Sequence, residues 1–316
     1  MPDFANEFEL LAEAYAASGG DVQDLKNDSY GLMLVSGHQL LAKNEIPGLV
    51  IAGEQIADGV KAKITVKKNH RLKNPVHLCF GVITAEGVQR IVADFVIEEN
   101  ATAQFLAHCS FPNAIKVQHI MEGAVTVANN ATMEYSETHY HGTEGGVEVL
   151  PKMKVQVAPN GRYISTFKLI KGAAGKIVLD YEAYLQDRAV TEMYAKVYGK
   201  RADDISIKES IYLNGVESRG LAKSRIVLAE QAHAEVLGEV IGNGAHSRGH
   251  IDCMEIVQGK QAVASALPRL RVVDDTAKLT HEAAIGSVDK KQVETLMARG
   301  LTEQEAVDVI VMGLLK

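Results

Sequence analysis

Tryptophan is absent from this chain of 316 residues, cysteine occurs only three times and proline seven. Cys79, Cys109 and Cys253 are odd in number and far apart, which excludes a disulfide framework and makes a reduced, cytoplasmic setting the expectation. The acidic N-terminus lacks a basic region followed by an apolar stretch, so no signal peptide is expected. Apolar runs such as residues 76–83 fall far short of the roughly 20 residues that a membrane helix needs, and no membrane partner is expected. A net charge of −7 with only small basic clusters, such as Lys67-Lys68, excludes the concentrated positive surface that nucleic acid requires. Cys-x-x-Cys is missing. Gly172-Ala-Ala-Gly-Lys176 lacks the spacer and the Ser/Thr of a phosphate-binding loop, and the segment from Gly242 to Ser247 breaks the dinucleotide fingerprint. Neither nucleotide hydrolysis nor a permanent ferredoxin-type cluster is expected, and any ATP must be handled by another protein.

Residues 4–17 fit an amphipathic helix, with Phe4, Phe8, Leu11 and Tyr15 on one face and Gly19-Gly20 at its end. From about Leu32 to Leu279 the pattern changes to short runs of period-two alternation. Residues 64–66, 89–97, 147–157, 176–185 and 205–213 all read as strands, punctuated by Gly, Asn and Asp. The stretch from Ile97 to Leu106 is echoed from Val127 to Ser136, and more faintly from Val157 to Thr166, at an offset of thirty residues. The sequons at Asn100 and Asn130 fall in these echoes and read as turn corners. Repeated strand–corner units that cannot bury their apolar faces alone mark a solenoid. Small Ala and Val suit a narrow stacked core, and a mainly β, β-helix architecture is favoured over a sandwich or barrel. The expected organisation is an N-terminal helical segment at 1–31, a β-helix core at 32–279 and a C-terminal helical region at 280–316. In that last region residues 289–299 form a helix closed by Gly300. Thr302 and Glu305 form a capping box, and Ala306, Val309, Ile310, Gly313 and Leu314 form an apolar stripe. The two helices either cap the solenoid's end or dock a partner, the first being the simpler expectation.

Several side chains carry candidate chemistry. Cys253, in Ser-Arg-Gly-His-Ile-Asp-Cys, is either a buried small hydrophobe or a thiolate ligand. His281 and Glu282 are adjacent, so on a strand they diverge and meet one metal only across a bend or a subunit boundary. His139 and His141 share a strand face with Glu137. This arrangement chelates zinc or iron, or else stacks in a ladder, and no cysteine follows at ligand spacing. His246 and His250 are a weaker version of the same signal. Cys109, between His108 and a turn, is a core cysteine or a nucleophile with a lowered pKa.

His281-Glu-Ala-Ala-Ile-Gly, followed by the segment from Val293 to Leu314 with Leu-Met-x-Arg-Gly-Leu-Thr-Glu-Gln-Glu-Ala, resembles the C-terminal signature of the SufB/SufD family. Cys109-Ser-Phe-Pro and Tyr135-Ser-Glu-Thr also resemble family segments, and the looser likeness reaches back to about residue 80. The resemblance implies a right-handed parallel β-helix between helical termini, in a scaffold subunit that builds a transient iron–sulfur cluster from iron and sulfide. It implies that the C-terminal helices dock SufC, an ABC-type ATPase, and that the chain is itself no enzyme. By position Cys253 matches the cysteine that holds the nascent cluster, with His281 and Glu282 as companion ligands. Cys109 matches the cysteine that receives sulfur. The retained Cys253 and His-Glu-Ala look more like SufB than SufD, and the compact length resembles an archaeal-type scaffold that pairs with itself. The departure at His139-Tyr-His141, where the family has a Gln-Asn-Trp-like stretch, leaves the sulfur donor and any flavin open. Two other readings remain: a SufD-like structural partner without catalytic function, and a zinc-dependent cupin-like enzyme using His139 and His141.

Overall fold

The computed structural model describes residues 4–315, with side chains from residue 7 onward, so the Phe4 side chain of the expected helical stripe lies outside the described residues. The alternation of apolar and polar residues folds into strands with one buried face. Among the described residues nineteen strands lie between Gly31 and Gly286, in one ten-stranded and one nine-stranded sheet. From Glu86 onward the chain crosses to the other sheet at every strand, so each strand pairs in parallel with the one a full turn away. The molecule is a mainly β, parallel β-solenoid of about eight turns with a few helices at its termini.

The echo in the sequence is the length of a turn. Thr102 pairs with Thr132 and Thr132 with Arg162, thirty residues apart each time. Asn100, Asn130 and Asn160 occupy the same corner of successive turns at φ of 58°, 56° and 57°. This left-handed region is one that Asn tolerates better than most residues. The Asn130 side-chain amide donates to Asn100 Oδ1 (3.2 Å), and that of Asn100 donates to Asn69 Oδ1 (2.9 Å), so the corners are tied by an amide ladder.

The interior is broader than a stack of Ala and Val. Phe95, Phe105, Tyr135, Tyr163 and Phe167 are all buried, each burial contributing about 1.5–3 kcal/mol. They lie toward the N-terminal half, where the second sheet's strands Glu86–Ile97 and Lys116–Val127 are twelve residues long; later ones such as Asp204–Leu213 have ten. The buried tyrosine hydroxyls are met by sulfur: Tyr163 reaches Met153 at 3.0 Å and Tyr135 reaches Met121 at 3.6 Å.

The two ends differ. At the N-terminal end antiparallel hairpins (Gly31–Ser36 with Gln39–Asn44, Leu49–Ile56 with Gly59–Val66) close the stack over a buried Leu49 and Ile51. Helix α1 (Phe4–Ser18) is followed by the short α2 (Val22–Leu25). The α1 residues Leu11 and Tyr15 lie over Leu32, Leu34 and Cys79 on the outer face of the first sheet. At the C-terminal end nothing covers the last strands, Val263–Val272 and Lys278–Gly286, among the described residues. Leu267 and Ile285 stand 48% and 49% exposed.

Helices α3 (Lys290–Met297) and α4 (Glu303–Leu315) therefore do not cap the solenoid. Tyr198, Val227 and Ile256 stack in register on the outer face of the first sheet, and this apolar column is the bed on which α4 lays Val311 and Leu315. The capping box forms as expected, with the Thr302 amide donating to Glu305 Oε2 at 2.8 Å and the Glu305 amide to Thr302 Oγ1 at 3.3 Å. The buried face of α4 is Ala306, Val311 and Leu315, while Val309 and Met312 remain exposed.

Candidate functional site

All three cysteines are free and buried, but they face different surroundings. Cys79 lies under α1, and burial pushes its thiol up to about 12. Cys109 and Cys253 point into the solenoid from opposite halves of the first sheet.

Cys253 sits on Arg248–Val257, the last strand but one of that sheet, 2% exposed. Its register partners are Ser224 on one side and Ala283 on the other. Burial pushes its thiol up to about 11, with the neighbouring Ser224 hydroxyl the opposing influence. Ser224 Oγ donates to Glu255 Oε1 at 3.2 Å, and Glu255, two residues on and so on the same face, is pushed up to about 7 by burial. Within one chain the carboxylate beside Cys253 is therefore Glu255.

His281 pairs in register with Ile251, and Glu282 with Asp252. Strand alternation places His281 on the inward face and Glu282 on the outward one, so the two diverge within a chain. Both are exposed, on the strand that ends the sheet. Glu282 falls beside Asp252, which Arg225 (2.6 Å) and Lys223 (3.1 Å) neutralise. Cys253 and His281 thus share the inward face on adjacent strands, while Glu282 lies on the outward one. His246 occupies a corner at φ 57°, and His250 bonds Thr280 Oγ1 at 2.7 Å; neither turns toward Cys253.

The Cys109 end is different. Its register partner across the turn is His139, and both lie on the inward face with Glu137. Their exposures are 0%, 1% and 1%. His139 Nε2 lies 2.6 Å from Glu137 Oε1, and Cys109 Sγ lies 3.9 Å from the same oxygen. The Tyr181 hydroxyl donates to Glu137 Oε2 at 3.2 Å. His139 Nδ1 is 3.2 Å from His141 Nε2, and His141 Nδ1 is 3.0 Å from the Ala173 carbonyl. Gly172, at φ 85°, lets that carbonyl come close, since a side chain there would collide with the His141 backbone.

Burial raises the Glu137 carboxyl, but the His139 hydrogen bond and charge outweigh it and hold it below the usual carboxylate range. Burial and the Glu137 charge push the Cys109 thiol well above its ordinary value. Of the two readings of Cys109 the core cysteine is found and the lowered pKa is not, because the residue is buried and faces an anion. The expected histidine pair is also enlarged by a cysteine that no local spacing revealed. The signal was the thirty-residue offset: 109 plus one turn is 139. Further inward polar groups, Ser165, Glu209 and Ser224, are buried between the two thiols.

Such a fold, a stack of parallel turns with thiols, carboxylates and imidazoles facing inward, defines a β-solenoid suited to soft and borderline metals. Residues 85–314 match the SufBD core domain of SUF-system FeS cluster assembly. A SufBD family protein of iron–sulfur cluster assembly from Methanocaldococcus jannaschii is 40% identical over 85% of this chain and 84% of its own length. One from Pyrococcus horikoshii is 37% identical over 98% of this chain and 94% of its own. The iron–sulfur cluster assembly protein SufB of Bacillus subtilis is 31% identical over a shorter stretch, 22% of this chain and 15% of its own length. The chain belongs to the SufBD family of iron–sulfur cluster assembly proteins. Among the described residues no helix is long and apolar enough to cross a membrane.

Proposed function

We propose that the chain is a SufB-like scaffold subunit that pairs with a second copy and, with the ATPase SufC, builds a nascent iron–sulfur cluster at the interface. The observation that carries this reading is the placement of Cys253 one strand in from an unpaired sheet edge on which His281 and Glu282 stand exposed. An open edge is a template for pairing with another chain. The half-exposed Ile285 on this edge, and Leu267 on the terminal strand of the second sheet, give this end of the solenoid apolar area. A second copy on that edge would bring its own His281 and Glu282 toward Cys253, removing the divergence within one chain. The thiolate would take iron and sulfide, and the imidazole and carboxylate would make a labile site from which the cluster leaves.

The exposed Met297, Val309 and Met312 on α3 and α4 supply an apolar face for SufC, and the bed of α4 on the first sheet would transmit its movement to the edge. Cys109 would accept sulfane sulfur from a donor persulfide, which leaves as its thiol, with the buried polar residues between the thiols as the route onward. The test is Cys253→Ser in anaerobic reconstitution with iron, sulfide and the candidate SufC. Loss of the cluster's visible absorption, with the dimer intact by sedimentation, is expected, and undiminished assembly would sink the assignment. The near-complete burial of Cys253 is the observation that favours the alternative, a SufD-like structural partner. Full function in a Cys253→Ser, Glu282→Gln double variant would select it.

A further inference from the structure

We propose that Cys109, Glu137 and His139 form a binding site for one divalent cation of borderline softness, zinc or ferrous iron, enclosed within the solenoid. It is separate from the edge site of Cys253, and a Cys109 bound to the cation is not free to receive sulfur until the cation leaves.

One donor atom from each of the three residues lies within 4.8 Å of the others. Ligand atoms around a tetrahedral zinc with sulfur, nitrogen and oxygen donors are about 3.3–3.5 Å apart. The 3.9 Å from Cys109 Sγ to Glu137 Oε1 needs only a small contraction, and the 2.6 Å from His139 Nε2 to the same oxygen a small opening. Adjacent parallel strands in register hold Cys109 and His139 side by side, so the pair is set by backbone pairing.

The hydrogen-bond chain behind the site calls for positive charge between His139 and Glu137, supplied by a proton or by a metal. The Ala173 carbonyl only accepts, so His141 Nδ1 carries a proton. A neutral His141 then presents a lone pair at Nε2, which His139 must satisfy from its Nδ1–H. That leaves the His139 Nε2 lone pair facing a carboxylate oxygen at 2.6 Å, a contact that holds only with a proton or a metal between or beside the two. Outer partners of this kind fix the tautomer and orientation of a metal-binding imidazole.

A further imidazole lies nearby, outside the group of donor atoms within 4.8 Å. His119 faces the site from the second sheet, fully buried, its ring 5.9 Å from that of His139. Neither of its nitrogens has a hydrogen-bond partner among the described residues. Unpartnered buried imidazoles are rare in native interiors. Loading would exchange two protons, the thiol's and the one that the Glu137–His139 contact requires, for one dication, so the interior keeps its net charge. Coordination would also deprotonate a thiol that burial otherwise keeps protonated.

The probe is cobalt(II), supplied during expression so that access to the closed interior is not limiting, and read on the intact protein under anaerobic conditions. One cobalt per chain is expected, with a thiolate-to-metal charge-transfer band in the near ultraviolet and intense tetrahedral visible bands that zinc abolishes. Cys109→Ser should remove the charge-transfer band. Glu137→Gln and His139→Gln should each lower occupancy at least tenfold at equal cobalt, with folding checked by circular dichroism. Cys253→Ser and His281→Ala should leave the bands unchanged. Absence of the bands in the unmodified protein overturns the proposal, as does their survival in Cys109→Ser or their loss in Cys253→Ser. The last outcome would assign the thiolate to the edge site.

Discussion

The two thiol sites of this solenoid are built from the same side-chain types and finished to different degrees. Around Cys109 a thiol, a carboxylate and imidazoles meet within one chain, because turns above and below supply register partners on the inward face. Around Cys253 the next turn is the last, and its His281 and Glu282 stand exposed on an edge with no further strand. A solenoid completes a site only where it has a neighbour on both sides. On the readings proposed above, the interior site is closed within one chain, while the terminal one waits for another molecule, as suits a cluster that must leave.

The largest expected effect comes from deleting the carboxylate of each site. Glu137→Ala should cost about 3–5 kcal/mol in urea unfolding, because it strands His139 and Tyr181 in the interior. Glu282→Ala, at the exposed edge, should stay within about 0.5 kcal/mol. Equal costs would erase the distinction between the ends.

Next in size is the response to pH, which should have opposite signs at the two ends. Burial holds His119 and His141 at about 3 instead of 6.5, so between these values the unfolded chain binds protons that the folded chain refuses. Stability there falls as pH drops, by about 1.4 kcal/mol per pH unit for each imidazole. Glu209 and Glu255 are pushed by burial to about 8 and about 7 from 4.5. Their contribution is complete below 4.5 and is lost as pH rises through 7 and 8. Hydrogen exchange, corrected for intrinsic rates, should show the Thr132–His141 strand loosening as pH falls from 6.5 toward 3, and the Arg248–Val257 strand loosening as pH rises from 4.5 to about 7. A shift of both strands in one direction would break the comparison.

The smallest effect concerns association alone. Ile285→Lys at the open edge should leave the monomer's unfolding midpoint nearly unchanged, since the side chain is already half exposed. It should weaken self-association by tenfold or more in sedimentation velocity. An unaltered dimer would place the interface elsewhere.

Much of this fold was legible because a solenoid writes its geometry into the sequence as a period. The echo from Ile97 to Val127 to Val157 marked the turn, and the Asn100 and Asn130 sequons marked its corner. The site was less legible for the same reason. Ligand spacing is ordinarily sought over a few residues, as in His139-Tyr-His141, whereas Cys109 lies one turn away and becomes adjacent only through strand pairing. The divergence of His281 and Glu282 followed from alternation and is found. Of the two readings of Cys109 the buried one is found, and its partners Glu137 and His139 were not legible because its neighbours in sequence, His108 and a turn, are not its neighbours in space. The course of α4 was hidden too. Its bed of Tyr198, Val227 and Ile256 comes from three strands whose outward faces look unremarkable one at a time.

The pairing of each turn with only the turns beside it also sets an order in time. Every residue of the Cys109 group, out to Tyr181, has been synthesised while more than a hundred residues are still to come. At the usual pace of roughly 5–20 residues per second, several seconds separate the closing of that chamber from the appearance of the terminal edge. On the proposal of an interior cation and an edge-paired dimer, the cation is trapped on the ribosome before a second copy has an edge to grasp.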